Sequence, residues 1–100
     1  MRTTQHLLVS GQVQGVGFRY FALDCASRLG VTGWVRNLHD GRVEAVIQGL
    51  PEKLTEIQML LRRGPARAKV SSLEVQVVVM EQNMKEFEIR DDGVTACLKK

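Results

Sequence analysis

Apolar and polar residues alternate near the start of the chain. Leu7, Val9 and Val13, with Gly11 between the two valines, take every second place among mostly polar neighbours, and Leu8 is the exception. A period of two predicts a half-buried strand. From Phe18 the period changes. Phe18, Phe21, Ala22, Cys25, Ala26 and Leu29 recur at the spacing of one helix face. That predicts an amphipathic helix, closed by Gly30 where left-handed backbone favours glycine.

The next apolar-rich runs are Trp34 to Leu38 and Arg42 to Gln48, separated by His39-Asp40-Gly41. Asp-Gly between two such runs predicts a hairpin. Pro51 suits a first helical turn, and Leu54, Ile57, Leu60 and Leu61 mark a second helix. Arg62 and Arg63 complement its C-terminal dipole, and Gly64-Pro65 ends it. Leu73, Val75, Val77 and Val79 predict a long strand, and Phe87 and Ile89 a last short one before Asp91-Asp92-Gly93. The tail from Val94 to Lys100 has no pattern.

The order is therefore strand, helix, strand, strand, helix, strand, plus one short strand. Two crossovers around a central hairpin predict an α+β, ferredoxin-like sandwich: an antiparallel sheet with two helices on one face. One domain is expected over residues 1–92, followed by a tail over 93–100. This topology is expected to bring the first loop near the second strand, and so Arg19 near Asn37.

Composition narrows the choices. With 100 residues, 44% of them hydrophobic, the chain suits one domain with one core. A net charge of +3 fits an anionic substrate. Aromatic residues are only 5% and offer no base-stacking platform, so nucleic-acid binding is not expected. No signal peptide and no membrane-length apolar run is evident, so a cytoplasmic, soluble protein is expected. Cys25 and Cys97 lack ligand spacing, as do His6 and His39, so neither a metal nor another cofactor is expected. Cys25 falls on the apolar face of the first helix and reads as an inert core residue. A disulfide to Cys97 is not expected in a reducing compartment.

The chemistry concentrates between the first strand and the first helix. Gln14-Gly15-Val16-Gly17-Phe18-Arg19 reads as a glycine-rich turn that runs into a helix start. Glycines let backbone N–H groups crowd around one point, and a helix N-terminus adds unpaired N–H groups and a positive dipole end. Arg19 opposes that dipole, at a cost from a few tenths to about 1 kcal/mol. That charge is wrong for the helix and right for an anion. The segment reads as a phosphate or carboxylate cradle.

Several phosphate motifs are excluded. A Walker loop would end in Gly-Lys-Ser/Thr, and this one ends Gly17-Phe18-Arg19. A dinucleotide fingerprint would need a third glycine. A cysteine phosphatase loop would place a thiolate at Val13, which has no nucleophile. Such a site must work by positioning and charge. That suffices only for a phosphate with a good leaving group. An acyl phosphate has one, since its parent acid has a pKa of about 4 and leaves unprotonated.

At these residues the chain resembles the acylphosphatase family. The family's first signature reads Val9-Ser10-Gly11-Gln12-Val13-Gln14-Gly15-Val16-Gly17-Phe18-Arg19 in this sequence. The second reads Gly33-Trp34-Val35-Arg36-Asn37, three residues, Gly41, one residue, Val43, five residues, Gly49. Both match without a gap, and the resemblance spans roughly residues 5 to 91. It implies metal-independent hydrolysis of small acyl phosphates to a carboxylate and inorganic phosphate. It implies that Arg19 binds the phosphate, that Asn37 orients the attacking water, and that backbone amides of residues 14–19 hold the phosphate oxygens. Inorganic phosphate is then a product and an expected competitive inhibitor. No side-chain role is expected for Gln14.

The rival reading is a non-catalytic phosphate- or anion-binding module of the same fold. Acylphosphatase-like domains also occur inside larger proteins, including carbamoyl-transfer proteins of hydrogenase maturation. The absence of zinc-finger cysteines and of a partner domain favours a standalone enzyme, and a monomer is expected. Arg62, Arg63, Arg67 and Lys69 form a loose basic cluster, explained by helix capping and a solvated surface, with a docking patch for an acidic partner as the alternative. Trp34 is expected to pack in the core or at its rim.

Overall fold

A computed structural model describes residues 2–79 and 83–94. Its elements run in chain order as β1 (Thr3–Gln12), α1 (Phe18–Leu29), β2 (Thr32–Asn37), β3 (Val43–Gly49), α2 (Pro51–Arg63), β4 (Lys69–Val78) and β5 (Phe87–Ile89). The strands form one sheet in the order β4-β1-β3-β2-β5. The first four pair antiparallel. The short β5 runs parallel to β2, so the five-stranded sheet is mixed. The element order, the hairpin and the two helices on one face follow the hydrophobic pattern.

Leu7, Val9, Val35, Val43, Ala45, Ile47 and Leu73 project from the sheet into the main core. They meet Phe18, Ala22, Cys25 and Ala26 of α1 and Leu54, Ile57 and Leu61 of α2. Cys25 is buried and free, and burial raises its thiol pKa, which matches an inert core residue. Cys97 lies outside the described residues. Phe21 and Leu29, at the edge of the helix stripe, are half-buried.

Two strands depart from their patterns. β1 begins at Thr3, well before Leu7, because the alternate residues Thr4 and His6 are buried too. β4 begins at Lys69 and keeps only Leu73 buried. β4 is an edge strand, so Val75 and Val77 stay exposed, and Val79, beyond the strand, is 97% exposed.

Across β1, β3 and β2, the sheet face away from the helices is largely buried and carries a polar layer. Leu8 pairs with Glu44, and Glu44 with Arg36, across β1, β3 and β2. Glu44 is fully buried; one carboxylate oxygen accepts from Arg36 Nε at 2.7 Å, and the other lies 2.7 Å from His6 Nε2. Trp34, on the same face, is buried under two guanidinium groups, Arg36 at 5.3 Å and Arg90 at 4.8 Å from its ring centre. Gln48 Nε2 donates to Thr4 Oγ1 at 2.9 Å, and its Oε1 accepts from the Met84 N–H at 2.7 Å. A buried charge is tolerated only when paired in this way.

Candidate active site

At one end of the sheet, β1 and β2 finish while β3 and β4 begin. Val9 pairs with Val43, and Val43 pairs with Asn37. Strand alternation therefore puts Asn37 on the helix-bearing face, in the row of Val9 and Val43, with Arg36 on the other face. The loop that follows β1 turns at this same end into α1. Gly15 and Gly17 both have positive φ, 72° and 80°. A methyl group at either would meet nothing within 4 Å. The glycines therefore serve backbone conformation and openness rather than tight packing.

Gly17 is the N-cap of α1, with no side-chain cap and no acidic residue in the first turn. The first intrahelical bond runs from Phe21 N–H to Gly17 O at 3.0 Å. Among the described residues, no hydrogen bond engages the backbone N–H groups of residues 14–20. These amides line the loop from Gln14 through Val16 to Arg19. α2 also lacks a side-chain cap, but its charges follow the helix dipole, with Pro51 at its start, Glu52 in the first turn, and Arg62 and Arg63 in the last. Of the two helices described, α1 alone opens with an arginine and no acidic residue in its first turn, at the loop where an anion is expected.

Phe18 anchors the loop from below. It is buried at the first helical position, its ring 6.2 Å from that of Phe21. Arg19 is one-third exposed and points its guanidinium toward Asp92, with Nη1 to Oδ1 at 3.8 Å. Residue 93 then returns to β2: the Gly93 N–H donates to Asn37 O at 2.9 Å. Consecutive residues Asp92 and Gly93 thus touch Arg19 and Asn37. Within Asn37, Oδ1 is buried without a hydrogen-bond partner. Such orphaned acceptors are rare and costly, and a substrate or water is a natural partner.

The Gln14 side chain has a task that sequence reasoning missed. Its Nε2 donates to Leu38 O at 2.7 Å and to Arg42 O at 2.9 Å. One amide thereby fastens the loop to the β2–β3 hairpin. The hairpin is set by Asp40, which accepts from Arg42 N at 3.1 Å and Arg42 Nε at 2.8 Å. His39 is exposed in that loop. Among the described residues, no group of three or more His, Cys, Asp or Glu could hold a metal ion.

An amide-lined loop at an uncapped helix start, flanked by an arginine on a ferredoxin-like sheet, defines an anion-binding α+β domain. A family model described as Acylphosphatase matches residues 5–89. The chain belongs to the acylphosphatase family, which makes it a hydrolase by family. It is similar to the acylphosphatase of Koribacter versatilis, at 45% identity over 86 residues, covering 86% of this chain and 78% of that one. An acylphosphatase structure from Coxiella burnetii matches with a TM-score of 0.84 at 38% identity, covering 89% of this chain and 93% of the other. One from Bacillus subtilis matches with a TM-score of 0.85 at 33% identity, covering 90% and 99%.

Proposed function

We propose that the chain hydrolyses the carboxyl–phosphate bond of small acyl phosphates, with Arg19 and Asn37 as its catalytic residues. The observation that carries this reading is the row of unbonded amides beside Arg19, with the unpartnered Asn37 Oδ1 at the same end and face of the sheet. The phosphate sits against the N–H groups of Gln14, Gly15, Val16, Gly17, Phe18 and Arg19. The Arg19 fork takes two of its oxygens. Asn37 accepts a hydrogen bond from a water and holds it in line with phosphorus.

Water attacks phosphorus, and the bond from phosphorus to the acyl oxygen breaks with its electron pair. The product is a free carboxylate, which needs no proton from a general acid. The attacking water's protons pass to phosphate oxygens and solvent. Charge on the equatorial oxygens rests on Arg19 and the amides. No step calls for a metal. The same reading has inorganic phosphate inhibit competitively and the enzyme act as a cytoplasmic monomer. Among the described residues, no helix is long and apolar enough to cross a membrane.

The test is phosphate release from an aryl acyl phosphate, with EDTA present. Arg19→Ala is expected to lower kcat/KM by roughly two to three orders of magnitude, the range for one lost transition-state donor. Asn37→Ala is expected to lower kcat about a hundredfold or more while phosphate inhibition changes little. A folded parent that binds phosphate but turns nothing over would reduce the site to an anion-binding module.

A further inference from the structure

The cradle end of the molecule carries a second group of cations. Arg62 and Arg63 close α2, Arg67 sits in the following loop, and Lys69 opens β4. All four are exposed, and no acidic residue lies between Glu56 and Glu74. Every other described arginine holds a partner: Arg2 a threonine hydroxyl, and Arg19, Arg28, Arg36, Arg42 and Arg90 a carboxylate. Arg62, Arg63, Arg67 and Lys69 make no side-chain hydrogen bond or ion pair among the described residues. Capping of α2 accounts for Arg62 and Arg63 and leaves Arg67 and Lys69 unexplained.

Topology places this group. Lys69 pairs with Gln12 at this end, but its neighbours Ala68 and Val70 pack on the helix-side core, so Lys69 lies on the other face of the sheet. Gly64 lies under the cradle, where a Cβ would stand 3.3 Å from Phe18 Cε2. In the order β4-β1-β3-β2, Asn37 stands to one side of β1, and β4 with the end of α2 stands to the other. In a phosphoryl transfer the attacking and leaving oxygens lie roughly in line through phosphorus. A water held by Asn37 arrives from the β2 side, so the acyl group departs toward the β4 side. That is where the unpaired cations stand.

We propose that Arg63 and Arg67, at the end of α2 and in the loop that follows it, bind the acyl portion of the substrate. The preferred substrates are then acyl phosphates whose acyl group bears a second anionic group at its far end. This inference rests on the hydrolytic reading above. The rim contributes to binding in the ground state and the transition state alike, and so acts on KM rather than on kcat.

The experiment compares benzoyl phosphate with 4-carboxybenzoyl phosphate. The para carboxylate adds the charge rigidly and cannot cyclise onto the acyl carbon. The parent is expected to favour the carboxylated substrate in kcat/KM by about fivefold or more, the sum of a few exposed ionic contacts. In an Arg63→Gln, Arg67→Gln double variant that preference is expected to vanish, with an unchanged circular dichroism spectrum and Tm as proof of folding. A Lys53→Gln, Lys85→Gln variant, altered away from the cradle end, should keep the preference. Equal handling of both substrates by the parent, or a preference that survives in the Arg63, Arg67 variant, overturns the rim. So does an equal loss in the Lys53, Lys85 variant, which would make the effect one of net charge. Failure of the parent to turn over either substrate would instead overturn the hydrolytic reading, and the rim with it.

Discussion

Asp92 Oδ1 lies 3.8 Å from Arg19 Nη1, so the arginine assigned to phosphate already faces a carboxylate. Both side chains are partly exposed, and such a pair is weak. An incoming phosphate meets the Asp92 charge as repulsion at close range. Asp92→Asn is therefore expected to lower the inhibition constant of inorganic phosphate by roughly two- to fivefold, with kcat unchanged. Competitive inhibition at fixed ionic strength measures this. A weaker rather than tighter phosphate would mean that Asp92 props Arg19 instead of competing for it.

Gln14 offers a separate handle on the loop. Gln14→Ala removes both bonds to the hairpin, at 2.7 Å and 2.9 Å, and leaves the Leu38 and Arg42 carbonyls only their backbone donors, the Gly41 and Leu38 N–H groups. The loss of two part-exposed hydrogen bonds should cost about 1–2 kcal/mol. The expected result is a modest fall in Tm and a raised KM, because the amides no longer hold one arrangement. Gln14→Glu cannot donate to two carbonyls and should behave like the alanine variant or worse.

Two glycines separate fold from site. A Cβ at Gly33, where φ is 136°, would overlap the Val46 carbonyl. Gly33→Ala is expected to cost at least about 3 kcal/mol, or to prevent folding. At Gly17 the added methyl finds open space and meets only the left-handed φ of 80°. Gly17→Ala should cost about 1–2 kcal/mol and fold, yet lose activity as the amides turn away. Chemical denaturation beside turnover would separate the two.

The hairpin supplies a pH test. Asp40 has its carboxyl pKa lowered, first by the Arg42 side-chain hydrogen bond and then by the Arg42 backbone N–H. A group depressed on folding stabilises at pH above its unfolded value, and that contribution is lost as pH falls through the folded value. Parent and Asp40→Asn should thus differ in Tm at neutral pH and converge below the ordinary aspartate pKa of about 3.9. Added salt should shrink the neutral-pH difference, since Asp40 is exposed.

The helices, the hairpin and the order of strands were legible because hydrophobic spacing alone encodes them. Leu54, Ile57 and Leu61 mark a helix face wherever they pack, and Asp40-Gly41 turns a chain without tertiary help. The proposed cradle shows in the sequence only as a conflict: Arg19 in the first turn opposes the helix dipole. The polar layer of His6, Glu44 and Arg36 was not, since it depends on the register of three strands at once. β1 was drawn short for the same reason, as Thr4 and His6 carry no apolar signal. Phe87 and Ile89 mark β5 as a strand, but three residues encode no direction, so its parallel pairing does not follow from the pattern. Nothing local in the sequence reveals the reach of the Gln14 side chain to Leu38 and Arg42.

Arg36 and Asn37 are neighbours in the chain and stand on opposite sides of the sheet. One belongs to the ion layer around Glu44, the other to the cradle end. The sheet thus works as a bulkhead. Under the rim proposed above, an engineer wanting a different leaving group could rewrite Arg63 and Arg67 and leave the foundation on the far side untouched. Libraries confined to the helix-bearing face should retain folded members far more often than libraries that cross to Arg36.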